Sequence, residues 1–107
     1  MKLTSRILTF AGALTFCALD AQAADTARSS DDIIAAHCVA CHSVGLLNAP
    51  KIGDTAAWEE RVRQKGGLDG LLASTIKGLG IMPPKGTCGD CTDDELKSAI
   101  RSMSGLK

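Results

Sequence analysis

The chain has 107 residues, with 12 Lys+Arg against 12 Asp+Glu and 45% hydrophobic residues. That balance excludes a basic nucleic-acid binder and gives no attraction to an anionic membrane surface. No internal repeat or low-complexity tract is present, so a single domain is the economical organisation.

The first 23 residues have the pattern of a secretory signal. Lys2 and Arg6 flank the start of an apolar run, "ILTFAGALTFCAL", that ends near the small-residue site Ala21-Gln22-Ala23. From Ile7 to Leu19 the run has 13 residues, fewer than the roughly 20 a membrane-spanning helix needs. Cleavage before Ala24 is therefore expected, giving a signal over 1–23 and one domain over 24–107, exported to an oxidising compartment with no membrane insertion. Cys17 leaves with the signal, since the bulky Phe16 before it does not suit lipoprotein processing. The 84 remaining residues hold ten basic and eleven acidic side chains, and Trp58 is their only aromatic one. A domain of this size buries only about 60 to 65% of its unfolded surface. It needs a staple or a non-protein object in its core.

"ADTARSS", residues 24–30, reads as a loose lead-in. A first helix is expected from Ser30 or Asp31 through Ile33, Ile34 and the first cysteine pair. "GLLNAPKIG" follows as a loop. A second helix is capped by Asp54 or Thr55 and buries Trp58 and Val62, until Gly66-Gly67 stops it. A third follows Asp69, with Leu68, Leu71, Leu72, Thr75, Ile76 and Leu79 on one stripe, and ends at Gly78 and Gly80. "IMPPKGTCGDC" cannot be helical across Pro83-Pro84. The last helix has the capping-box spacing at Thr92 and Glu95 and an apolar stripe of Leu96, Ala99, Ile100 and Met103. No stretch alternates as a strand, so the class is all-α, about four helices with loops long enough to wrap something.

The chemistry begins at Cys38-Val39-Ala40-Cys41-His42. On a helix the two thiols share a face and the imidazole lies on the same side. This is the C-x-x-C-H pattern of covalent haem attachment, with thioethers from Cys38 and Cys41 and His42 as the proximal iron ligand. A haem would also supply the core that the missing aromatics leave unfilled. His37 points elsewhere on the helix and is read as a surface or haem-edge residue, not a ligand. A four-cysteine zinc module is the metal alternative, but zinc ribbons space their pairs by about 15 to 20 residues and 46 separate Cys41 from Cys88. A thioredoxin-like pair calls for a strand-helix-strand unit that is not evident.

Opposite His42 the expected chain offers Met82, Met103 and His37. Met103 belongs to the last helix's apolar stripe, whereas Met82 fits no periodic pattern and precedes Pro83, which holds its backbone extended. Met82 is therefore the expected second axial ligand, its alternative being a loop methionine tucked on the core. With both axial positions filled by protein, outer-sphere electron transfer remains. Cys88 and Cys91 lack a following His and are expected to form a short-range disulfide, worth only roughly 2 kcal/mol by chain entropy. A redox-active dithiol is the other reading of the same spacing.

The stretches "CVACH", "NAPKIGDTAAW" and "IMPPKGTCGDCTDDEL" resemble class I c-type cytochromes of the bacterial cytochrome c5 group, over nearly all of residues 31–103. The resemblance implies a small cytochrome c fold around one covalent haem c and a periplasmic electron carrier rather than an enzyme, with redox proteins as partners. It also implies that the Pro50 carbonyl accepts the Nδ1–H of His42, that Trp58 lies beside the haem, and that Cys88 and Cys91 are the family's disulfide. One departure is visible: "SAIRSMSG" lacks the aromatic residue usual in the last helix, so Ile100 or Met103 must fill that space. The rival to the carrier is a haem enzyme or sensor, peroxidase-like, with a displaceable Met82. The zinc module ranks below both.

Overall fold

The computed structural model describes residues 26–107, together with Gly12. The expected signal and its cleavage point before Ala24 lie outside the described residues.

Helix α1 spans 30–42 in three stretches: α-helical Ser30–Ile33, a π-turn over Ile34–Cys38, and α-helical Val39–His42. Its cap is Ser29, one residue earlier than expected, whose Oγ accepts the Asp32 N–H at 3.1 Å. In the π-turn the Val39 N–H reaches back five residues to the Ile34 carbonyl. Residues five apart then stack on one side, which brings the Cys38 Sγ to 3.9 Å from the Ile33 carbonyl. The periodicity of an ordinary α-helix does not foretell this insertion.

Helix α2, Thr55–Lys65, is capped by Asp54, whose carboxylate accepts the Ala57 N–H, and ends at Gly66. Helix α3, Leu68–Lys77, begins directly at Gly67 with no side-chain cap. Asp69, expected ahead of this helix, instead lies in its first turn and pairs with Lys97 at 2.6 Å. Helix α4, Asp93–Ser104, closes both arms of its capping box: the Thr92 Oγ1 accepts the Glu95 N–H and the Glu95 carboxylate accepts the Thr92 N–H. Among the described residues there is no strand, only an isolated bridge between Leu79 and Met82. The class is all-α.

Helix α4 lies against α1 and α3 and separates two apolar clusters. In one, Ile33 meets Leu96, Ala99, Cys88 and Cys91. In the other, Trp58 and Leu71 meet Ile100 and Met103, with Ile34, Cys38 and Val62 at the edge. Ile100 and Met103 are both buried, packed with Trp58 and Leu71.

The lead-in is not loose at Arg28. Its backbone N–H and guanidinium donate to the Glu95 carboxylate at 2.9 to 3.2 Å, and the guanidinium also reaches the Asp90 carboxylate and carbonyl at 3.1 Å. These bonds, with the Thr92 N–H, pull the Glu95 carboxyl down from 4.5 to about 2. A carboxylate whose folded pKa lies below its unfolded one stabilises the fold above the unfolded value and loses that contribution as pH falls through the folded value. The clamp should therefore hold above about pH 4.5 and fail toward pH 2. Glu95→Gln is expected to lower the neutral-pH urea midpoint and to flatten its fall across that window. An unchanged acid slope would refute this.

Candidate functional site

His42 ends α1 and is only 7% exposed. Its Nδ1 lies 2.8 Å from the Pro50 carbonyl. A carbonyl can only accept, so Nδ1 carries the proton and Nε2 keeps its lone pair. Among the described residues Nε2 has no hydrogen-bond partner.

Four consecutive residues buckle this site. Pro50 takes the imidazole N–H, the Lys51 carbonyl takes the Trp58 indole N–H at 2.8 Å, the Ile52 N–H donates to the His42 carbonyl at 2.8 Å, and the Gly53 N–H donates to the Met103 carbonyl at 2.8 Å. Trp58 stacks on the His42 ring with centroids 5.5 Å apart and planes 21° from parallel. The ring is thus held by a hydrogen bond at its edge and an indole at its face, which fixes where Nε2 points. The indole N–H is spent on Lys51.

Cys38 and Cys41 are half-buried free thiols. Burial pushes the Cys38 thiol up, the reverse of an activated thiolate, which counts against a redox or nucleophilic pair. Among the described residues no group of three His, Cys, Asp or Glu side chains that converges on one point includes Cys38, Cys41 or His42. Their spread does not fit a single small ion. Cys88 and Cys91 are joined as a disulfide with Cα atoms 5.4 Å apart, packed in the other apolar cluster. Four sulfurs therefore do not meet, and the zinc reading has no centre to rest on.

Met82 is half-buried on the loop between α3 and α4. It exchanges backbone hydrogen bonds with Leu79 at 3.0 and 3.1 Å, and the extended Pro83 follows it. Gly78, at φ +85°, lets this loop double back: a Cβ there would stand 3.0 Å from the Met82 carbonyl and the Pro84 nitrogen. No hydrogen bond or ring contact joins Met82 to His42 among the described residues. The structure brings His42, Pro50 and Trp58 into direct contact, sets Cys38 and Cys41 on the same helix, and leaves Met82 on a separate loop.

A haem fits this arrangement on chemical grounds. Val39 between the cysteines, Ile52 on the strap, and Leu79 and Ile81 beside Met82 are all exposed, Ile81 by 71%. Each lies close in sequence to a proposed anchor, and a chain this small gains by covering them with an apolar group. Two thiols, one imidazole with a free nitrogen and one thioether form the donor set of a c-type haem. Sequence reasoning missed the Lys51 carbonyl, the Ile52 and Gly53 N–H groups and the contact of His37 with Thr87. Backbone groups leave no residue signature to find.

A protein-family profile described as "Cytochrome C oxidase, cbb3-type, subunit III" matches residues 25–101. Cytochrome c5 of Ectopseudomonas mendocina is 66% identical over 86 residues, which cover 80% of this chain and 99% of that protein. The chain belongs to the class I c-type cytochromes, in the c5 group. Cytochrome c5 of Azotobacter vinelandii is 68% identical over 80 residues, 75% of this chain and 96% of that protein. A mono-haem ferrocytochrome c from Shewanella putrefaciens superposes with a TM-score of 0.65 at 44% identity, over 75% of this chain and 96% of that one. The cytochrome c of an electron transfer complex with nitrite reductase gives 0.63 at 38%, over 71% and 90%. Like these c-type cytochromes, the chain is an electron carrier with one covalently bound haem c, and not an enzyme.

Proposed function

We propose that this c-type cytochrome is a periplasmic one-electron carrier in which Cys38 and Cys41 hold the haem by thioethers and His42 and Met82 ligate its iron. Bound there, haem c supplies a one-electron Fe(III)/Fe(II) couple. The observation that carries the assignment is the 2.8 Å bond from His42 Nδ1 to the Pro50 carbonyl, because it leaves an oriented Nε2 lone pair without a protein partner among the described residues. Trp58 holds the ring from its face, and Met82 brings a thioether, which favours the ferrous state. The Cys88–Cys91 disulfide stiffens the segment between Met82 and α4.

A signal over 1–23 removed before Ala24 leaves a domain of 84 residues, and an oxidising compartment suits the disulfide. Redox proteins are the proposed partners, a redox enzyme among them, since the related cytochrome c forms a complex with nitrite reductase. The enzyme or sensor reading is not favoured, because a network of hydrogen bonds fastens the loop after Met82.

Absorption spectra of the purified mature protein, oxidised and reduced, test the assignment. The expected result is low-spin haem, a ferric sulfur-to-iron band, and haem that stays with the polypeptide after acid-acetone extraction. Extractable haem, or none, would overturn it. N-terminal sequencing of the periplasmic fraction should start at Ala24, and an intact Met1 would refute the cleavage.

A further inference from the structure

The loop after Met82 is built in an unusual backbone. Lys85, Gly86 and Thr87 take φ values of +56°, +55° and +72° in succession, and two of the three carry a Cβ. Left-handed residues with side chains persist only where the surroundings over-determine them. Here the Lys85 Nζ bonds the Cys91 carbonyl at 3.2 Å, the Gly86 N–H bonds the Pro83 carbonyl, the Cys88 N–H bonds the Lys85 carbonyl, and the disulfide follows. These ties are internal to the loop and do not set where it sits against α1.

Packing of Ile33 on Cys88 and Cys91, with the Arg28 bonds to Asp90, holds its far end near the start of α1, and closer to Met82 a single side-chain bond does so. His37 Nδ1 and Thr87 Oγ1 share a hydrogen bond at 3.1 Å across 50 positions of sequence. Among the described residues it is the only side-chain hydrogen bond between α1 and the segment 79–91. Gly86 lies beside it: a Cβ there would make ordinary van der Waals contact, 3.7 Å from the His37 carbonyl and 3.9 Å from the Met82 Cε. Gly86 therefore neighbours both the His37 backbone and the end of the Met82 side chain. A loop that is rigid within itself and pinned at Thr87 transmits that pin to Met82.

We infer that His37 is a positioning residue for Met82, acting through Thr87 to hold the thioether at its station opposite His42. This rests on the axial role proposed for Met82. His37 touches no iron; it opposes the outward swing of the loop that any competing ligand must provoke. Losing the bond should ease that swing by what one net hydrogen bond is worth, about fivefold in an equilibrium constant.

The test uses the full holoprotein and free imidazole as the competing ligand. His37→Phe keeps the ring and removes the nitrogen, Thr87→Val removes the hydroxyl at an exposed site, and His37→Asn keeps a polar atom where Nδ1 stands. Imidazole is expected to bind about fivefold more tightly to the first two. The double variant His37→Phe/Thr87→Val should gain no more than either alone, because both remove the same bond. His37→Asn should stay within about twofold of the parent. Amide exchange at Gly86 and Cys88 should quicken in the two loss variants. Parent-like imidazole affinity in Thr87→Val overturns the inference, even with faster exchange, since the bond would then stiffen the loop without reaching Met82. Met82→Ala separates the two levels: if it keeps the sulfur-to-iron band and the parent affinity, the axial role itself fails.

Discussion

Met82→His is expected to lower the reduction potential by a few hundred millivolts, a sizeable share of the roughly 0.8 V that axial ligands span. A thioether is a soft donor that favours the ferrous state, and an imidazole is a stronger σ donor that favours the ferric one. The fold should survive the change. Met82 is half-buried and belongs to neither apolar cluster. Its loop is held by the Leu79 exchange, the Lys85 bonds and the disulfide, none of which uses the Met82 side chain. The thermal midpoint should therefore move much less than the potential. Met82→Ala should instead leave an open position that takes up carbon monoxide rapidly. Direct electrochemistry together with a spectrum checks both, and a potential unmoved in Met82→His would remove Met82 from the ligand set.

Cys38→Ala/Cys41→Ala is expected to abolish covalent haem and, with it, cooperative folding. The core built by the chain alone is modest. Among the described residues its buried apolar members are Ile33, Trp58, Leu71, Leu96, Ala99, Ile100 and Met103 with the two disulfide cysteines, and a single aromatic ring is among them. Cores in domains this small rarely supply more than about 3 to 5 kcal/mol. A disulfide closing so short a loop adds only about 2 kcal/mol. Without haem, Val39, Ile52, Leu79 and Ile81 have no cover. Far-ultraviolet circular dichroism of the double variant should show reduced helix and a broad thermal transition, and a haem stain of the denatured chain should be blank. A sharp two-state melt with native helix content would show that the chain folds on its own resources. Single variants should retain haem through the remaining thioether.

How much of this could be read from the sequence depended on the distance over which each feature is decided. The ends of α2 and α4 were legible because capping is local: Asp54, Gly66, and the Thr92 and Glu95 pair each act within one turn. The start of α3 was misplaced at Asp69 because an acidic residue near a helix start looks like a cap. Its carboxylate in fact serves Lys97, 28 positions away. The lead-in looked loose for the same reason. Nothing near Arg28 announces that its guanidinium will find Glu95 across 67 positions.

The sequence by itself determined the helical class, the C-x-x-C-H spacing of Cys38, Cys41 and His42, and the position of Met82 outside any helical stripe, because each is a matter of residue type at short spacing. The resemblance carried in its longer motifs pointed to Pro50 and Trp58. Only the tertiary structure decided how His42 is held: by a proton given to the Pro50 carbonyl, a carbonyl taken by Ile52, and an indole anchored in turn on Lys51. It also decided that a π-turn ends at Cys38, and that His37 reaches Thr87. Main-chain donors and acceptors are the same in every residue, so their pairing is set by where packing brings the chain together and leaves no trace in the order of side chains.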